Sequence, residues 1–500
     1  MIMNAAALLL SSGRDEAVAI ECGDRKICYR ELREGVAKAA GAWRELGVRE
    51  GERVIVFAPD SIDWVVAYLG AIHAGGVAIG VNCRLPVAEL MPILAESEAA
   101  ALWCESHLAA AIEEVLPQLE RQPRLVVASP GSHEGWHRHV ARATAVPAAE
   151  RGADEPALWI GTSGTTGLPK GVVHAHRCVT HAHSFAVGIL GLCPQDRLYA
   201  TSKLFFAYAL GNSLFAGLRT GATVILDREW PTPERVAEVA RRHRPTLLFS
   251  VPTLYHKMLQ GGVADELAAL GIRHFVSAGE ALPAAVREHW RSTTGSAPIS
   301  GYGTSETLCL MLYADQADGA LSATPMTEVR VRDSAADPDS PRRLQLRHST
   351  VALGYWRRPA AQADGFEAGW FSPGDLFLMR PDGRYLFAGR SDDMLKIAGQ
   401  WVSTQWVEQA LAEACGDALQ QVATVGIEAA DGLTALAVLA VSAPGARTEA
   451  LKRMDEAIAG LPSHRRPRSV HWLDSLPLTA TGKLQRGQLR RLHDAALRSR

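Results

Sequence analysis

The sequence predicts an α/β fold in two parts: a large N-terminal domain of packed sheets with covering helices (residues 1–390), and a small α+β C-terminal domain (residues 391–500). Three observations predict it. From about residue 54, short β-branched runs alternate with amphipathic helical stretches. After residue 391 the texture changes to a compact set of helices and apolar runs, enough for a unit of about 110 residues. A chain of 500 residues also exceeds what one hydrophobic core usually serves.

Taken in order, residues 54–57 read as a strand, 62–74 as a helix, 77–81 as a strand and 87–99 as a helix. Residues 64–81 carry no Asp, Glu, Lys or Arg, but Gly75-Gly76 divides them into a helix and a strand of the buried core, not a membrane span. An apolar strand follows at 156–160, then strands at 222–226, 247–251, 274–277 and 298–300, with a helix at 233–243. This alternation argues for parallel sheets covered by helices. Segments 130–156 and 333–343 are rich in turn formers and charge and read as surface connections. In the C-terminal part a helix is expected at 405–414, apolar runs at 422–426 and 435–441, a helix at 447–460, a strand at 470–473, and a basic helical tail.

Composition narrows the function. With 47% hydrophobic and 21% charged residues the chain is an ordinary globular protein, which excludes disordered and fibrous classes. A formal net charge of −2 and a pI near 6.8 leave no electrostatic footprint for nucleic acid or an anionic membrane surface. The eight cysteines are scattered without a C-x-x-C pair, as small hydrophobes are, which points to a reduced, cytoplasmic protein with neither zinc site nor disulfide framework. Residues 5–10 are too short for a signal-peptide core, and no basic segment precedes them.

The chemistry sits where strands end. Thr162-Ser163-Gly164-Thr165-Thr166-Gly167-Leu168-Pro169-Lys170-Gly171 follows the strand at 156–160. Alternating glycines and hydroxyls supply N–H and O–H donors that wrap a phosphate chain, and a lysine neutralises it. Lys170 is followed by Gly171, not by Ser or Thr, so this is not the commoner Lys-Ser/Thr phosphate loop. Gly301-Tyr302-Gly303-Thr304-Ser305-Glu306 falls at a carboxyl edge, where open α/β sheets bind ligands, and Glu306 offers the hard oxygen that a cation beside phosphate requires. Asp375, in Gly374-Asp375, and Arg390, in Gly389-Arg390-Ser391-Asp392, form a carboxylate and guanidinium pair suited to ribose hydroxyls and phosphate.

Together these runs resemble the signatures of the acyl-adenylate-forming superfamily, which contains acyl-CoA and aryl-CoA ligases, carrier-protein adenylation domains and beetle luciferases. The resemblance implies ATP and Mg²⁺. Thr162, Ser163, Gly164, Thr165, Thr166 and Lys170 would hold the triphosphate, and Ala278-Gly279-Glu280 would border the adenine. Tyr302 would lie against that base, Thr304 and Ser305 would bond the α-phosphate, Glu306 would hold the metal, and Asp375 and Arg390 would take the ribose. Ser300 stands where the family usually has Asp or Asn facing the adenine amino group. Lys483, in Thr481-Gly482-Lys483, resembles the lysine that reaches the substrate carboxylate and α-phosphate during adenylation. An ammonium about 4 Å from that developing charge in a partly shielded site is worth on the order of 4 kcal/mol before desolvation.

Lys203 to Asn212, with its Phe206-Ala207-Tyr208 step, resembles the aryl-pocket wall of the benzoate-, hydroxybenzoate- and anthranilate-CoA ligases. Phe206 and Tyr208 offer ring faces, and small Ala207 and Gly301 are expected to leave room for a flat ring. The resemblance also makes the C-terminal domain a mobile lid hinged at Asp392, with Gly399 bordering the tunnel for CoA. The expected function is therefore an aryl-CoA ligase acting on a small aromatic carboxylic acid, with a phosphopantetheinyl carrier protein as the alternative acceptor and a homodimer as a possible assembly.

Overall fold

The computed structural model describes residues 2–129, 135–162, 170–332, 340–397, 400–428, 434–477 and 484–498, with backbone alone at 392, 396, 400, 401, 428, 486, 487 and 495–498. Two large sheets dominate. The first runs, in spatial order, Gly354–Tyr355, Lys170–Ala175, Pro156–Thr162, Val77–Gly80, Arg53–Phe57, Ala101–Glu105, Arg124–Ala128. Its last five strands are parallel, as alternation with helices predicts, and the first two are antiparallel additions at one edge.

The second sheet has nine strands, six of them mutually parallel: Ile299–Tyr302, His274–Ala278, Leu247–Ser250, Arg197–Ala200, Thr223–Leu226 and Val18–Cys22. Antiparallel strands close both of its edges, Arg25–Cys28 at one and Leu312–Ala314 with Ser322–Ala323 at the other. Both Tyr29–Glu45 and Ile62–His73 contribute to the largest apolar cluster, with Trp43, Trp64, Tyr68 and Leu69 fully buried. Ser61 starts the latter helix by accepting the Trp64 N–H at 3.0 Å. The uncharged stretch is therefore a core helix and strand, and among the described residues no helix is long and apolar enough to cross a membrane.

A third, antiparallel sheet is built from Glu328–Val331, Arg342–Arg347, Phe366–Glu367, Trp370–Phe371, Asp375–Met379 and Tyr385–Arg390. The turn Ser391–Asp393 leads to the hairpin Met394–Ile397 and Gln400–Ser403. Beyond it, helices Thr404–Cys415, Arg447–Gly460 and Arg486–Arg498 accompany a sheet of Leu419–Glu428, Thr434–Ser442 and Ser469–Trp472. Val402, Val407, Leu411, Leu436, Val438 and Met454 form a separate buried cluster there.

Two expectations need correction. Segment 130–156 is not all surface connection: Trp136 begins the helix Trp136–Arg142 and is 1% exposed, packed at a tilt against Trp43 with ring centres 4.5 Å apart and edge-on to Trp103 at 6.5 Å. An indole buries too much apolar area to be left on a surface loop. Likewise Arg342 and Arg343 belong to a strand, paired with Phe377 and Leu376.

Candidate active site

The carboxyl ends of the central strands converge on one edge. In the nine-stranded sheet, Ala278 and Gly301 are register partners, so the adenine-bordering segment and the Gly301 to Glu306 run leave adjacent strands side by side. Gly279 has φ +90°, a backbone that excludes ordinary side chains, and the Glu280 carboxylate accepts from Thr253 Oγ1 at 2.7 Å. Ser300 lies between Ser277 and Ala314 in the same sheet. The room expected beside Gly301 is already filled on its Cβ side, where a Cβ would lie 2.4 Å from Leu310 Cδ1. Gly303 is required by backbone, since a Cβ there would meet the Cys309 carbonyl oxygen at 2.7 Å.

Tyr302 and Asp375 meet directly. The Tyr302 hydroxyl donates to Asp375 Oδ2 at 2.5 Å, and its ring stands edge-on to Phe377 at 5.1 Å. Asp375 is 8% exposed and its carboxyl is pushed up by burial, opposed by the Tyr302 hydrogen bond and by the charge of Arg390. Asp375 and Arg390 are register partners across their hairpin, which explains why two residues fifteen positions apart form one pair. Arg390 itself is exposed.

The Thr304 to Glu306 turn is held by its backbone. The Thr304 N–H donates to Thr307 Oγ1 at 2.9 Å, the Glu306 carbonyl accepts from the Ala352 N–H at 2.8 Å, and His174 Nε2 lies 2.8 Å from the Ser305 carbonyl oxygen. Burial lowers His174 to about 4, so near neutrality the ring is uncharged and its Nε2–H is the donor. Thr304 Oγ1 is buried and has no hydrogen-bond partner among the described residues. Glu306 Oε1 accepts from the Tyr355 hydroxyl at 2.7 Å. Among the described residues no group of three or more His, Cys, Asp or Glu gathers to cage a metal. One carboxylate beside a phosphate site suits Mg²⁺, which keeps waters and substrate phosphates as its other ligands.

Thr162 and Lys170 are opposite one another at the end of an antiparallel hairpin. Ser163, Gly164, Thr165 and Thr166 between them lie outside the described residues, as do Gly399 and Lys483, and of Asp392 the backbone alone is described. Lys170 Nζ stands 5.5 Å from the centre of the Tyr355 ring. His174 and Tyr355 stand outside the sequence motifs of the site. Strand alternation could have found His174, since Lys170, Val172 and His174 share one face.

The aromatic segment borders the same edge. Phe205 contacts Phe206 at 4.4 Å and stacks toward Trp230 at 6.4 Å. Ala207 begins a single helical turn that widens into a π-helical turn at Leu210–Phe215. The Tyr208 hydroxyl donates to the Val276 carbonyl at 3.0 Å, so its proton is already committed within the protein. Asn212 ties this wall to the other motif, donating to the Tyr208 carbonyl at 3.1 Å while accepting from the Leu310 N–H at 3.1 Å.

Residues 11–356 match the model of a family described as AMP-binding enzyme. The chain belongs to that family. Among curated AMP-binding relatives, it is 39% identical to 3-hydroxybenzoate–CoA ligase of Aromatoleum sp. (strain CIB), over 97% of this chain and 95% of that one. It is 36% identical to the 3-hydroxybenzoate–CoA/4-hydroxybenzoate–CoA ligase of Thauera aromatica, over 98% of this chain and 96% of the relative. Of solved AMP-binding structures, an anthranilate CoA ligase in complex with anthranoyl-AMP superposes with a TM-score of 0.87 at 28% identity, covering 98% of this chain and 97% of that one. A benzoate CoA ligase from Burkholderia xenovorans LB400 gives 0.85 at 33%, covering 98% and 100%.

Proposed function

We propose that the protein is an ATP-dependent aryl-CoA ligase that activates a benzoate-type carboxylic acid as aryl-AMP and transfers the acyl group to CoA. The observation that carries this reading is the meeting of Tyr302, Asp375 and the Thr304 to Glu306 turn at one sheet edge beside the aromatic segment. Relatives of this chain at 33–39% identity, over 92–98% of its length, are benzoate-type CoA ligases by name, so loading of a carrier protein is not favoured.

In the first step a carboxylate oxygen of the acid attacks the α-phosphorus of ATP, and pyrophosphate leaves with the electron pair of the broken bond. Tyr302 with Ala278, Gly279 and Glu280 holds the adenine, and Asp375 and Arg390 hold the ribose. Thr304 and Ser305 donate to the α-phosphate, and Thr162, Ser163, Gly164, Thr165, Thr166 and Lys170 hold the triphosphate. Mg²⁺ on Glu306 neutralises phosphate charge when bound. Phe206, Ala207, Tyr208 and Gly301 line the aryl site, and Lys483 stabilises charge on both reacting groups.

In the second step the small domain, 391–500, turns about Asp392 relative to 1–390, withdrawing Lys483 and bringing the Gly399 loop to the site. The CoA sulfur attacks the acyl carbon, AMP leaves, and the thiol proton goes to solvent. The separate buried cluster beyond residue 400 supports that division. Eight unpaired cysteines fit a reducing, cytosolic setting.

The test is pyrophosphate release from Mg·ATP across benzoates, hydroxybenzoates, aminobenzoates, cinnamates and fatty acids, each with and without CoA. Turnover with a benzoate and CoA is the expected result. Silence across the aromatic acids would overturn the reading.

A further inference from the structure

Tyr355 sits on the edge strand Gly354–Tyr355, which is hydrogen-bonded to the strand leaving the phosphate run through the pairs Val172 with Tyr355 and Val173 with Gly354. Its side chain crosses to a different sheet's motif and donates to Glu306 Oε1 at 2.7 Å. Neighbours fix the residue. The Tyr355 N–H donates to Gln362 Oε1 at 2.9 Å, Gln362 Nε2 donates to the Leu353 carbonyl at 3.1 Å, and the phenol ring stands edge-on to Phe366 at 5.4 Å. The Lys170 ammonium lies 5.5 Å from the same ring's centre. One side chain therefore touches both a residue assigned to the triphosphate and the carboxylate assigned to the metal.

We propose that Tyr355 is a positioning residue that holds the Glu306 carboxylate in the rotamer that receives Mg²⁺ and sets it in register with Lys170. The inference rests on the ligase reading above. A glutamate has three side-chain torsions to immobilise before it ligates a cation, and a fixed phenol donor on one oxygen removes much of that cost, while the other oxygen has no hydrogen bond among the described residues. The ring adds a favourable seat for the ammonium.

Tyr355→Phe keeps the ring, the Phe366 packing and the seat for Lys170, and removes only the hydroxyl. The readout is binding without turnover: calorimetric titration of Mg·ATP and of metal-free ATP, with no acid present. The wild type is expected to prefer Mg·ATP, and the variant to lose about 10-fold of that preference, the usual scale for a partner that orients a metal ligand. CoA acylation from supplied aryl-AMP should be unchanged in the variant. An unchanged Mg²⁺ preference would overturn the inference and leave the ligase reading standing. Equal loss of both half-reactions would make Tyr355 merely structural and also overturn it. A wild type that releases no pyrophosphate with any aromatic acid would remove the ligase reading, and the inference with it.

Discussion

The Tyr302 hydroxyl and the Asp375 carboxylate form the shortest polar contact described above within the site, and Tyr302→Phe isolates it. The ring is retained, so the edge-on packing against Phe377 and any stacking on the base survive. The carboxylate loses a donor. A hydrogen bond to a charged group is worth about 1.5–3 kcal/mol, so without it Asp375 should hold its proton more tightly in the variant. Its carboxyl is already raised by burial, and Tyr302 and Arg390 hold it down. Both ribose hydroxyls need the ionised form as acceptor, so the ATP-dependent rate falls as pH drops through this pKa. The assay is the pH profile of kcat/KM for ATP, between pH 5 and 9, in the wild type and the variant. The acid limb should move to higher pH in the variant. A limb that stays in place or moves to lower pH would refute the assignment of Asp375 as an ionised acceptor supported by Tyr302. Linkage gives an independent sign for the free protein. A carboxyl raised by folding adds stability that is fully present below its unfolded pKa and lost as pH rises through its folded value, so Asp375→Asn should flatten that part of the stability profile.

Thr304→Val should separate activity from stability, because the hydroxyl it removes is buried and has no partner among the described residues. The unfolding midpoint should hold or rise, by up to about 1–3 kcal/mol in stability, while aryl-AMP formation falls by about 10². A variant that loses stability would mean the hydroxyl already has a protein partner. Lys483→Ala should suppress pyrophosphate release by about 10² or more and spare acyl transfer to CoA from supplied aryl-AMP, and a bulky residue at Gly399 should do the reverse. Parallel loss in either case would contradict alternation of the small domain. Trp136→Ala should cost about 3–5 kcal/mol in urea unfolding, because Trp136 fills the space between Trp43 and Trp103. A loss below about 1 kcal/mol would return that segment to the surface.

What the sequence made legible, and what it hid, follows from the range of the interactions. The helix Pro233–His243 was readable to the residue, because Thr232 caps it by accepting the Arg235 N–H and its apolar stripe is local. The central parallel strands were readable for the same reason, as continuous apolar runs between helices. The antiparallel edge strands were not, since strands as short as Gly354–Tyr355 carry no periodicity and exist only because a longer strand offers an unpaired edge. The site divides along the same line. Tyr302, Thr304 and Glu306 stand in one run at a strand end, where the chain must turn anyway and glycines betray close approach. Their partners are remote: Asp375 lies 73 positions from Tyr302, and Tyr355 lies 49 from Glu306 on another sheet. A motif therefore stands in the sequence as one run, while the groups hydrogen-bonded to it come from wherever the sheets happen to meet. That is why the Glu306 carboxylate can be found by inspection and the Tyr355 phenol bonded to it cannot.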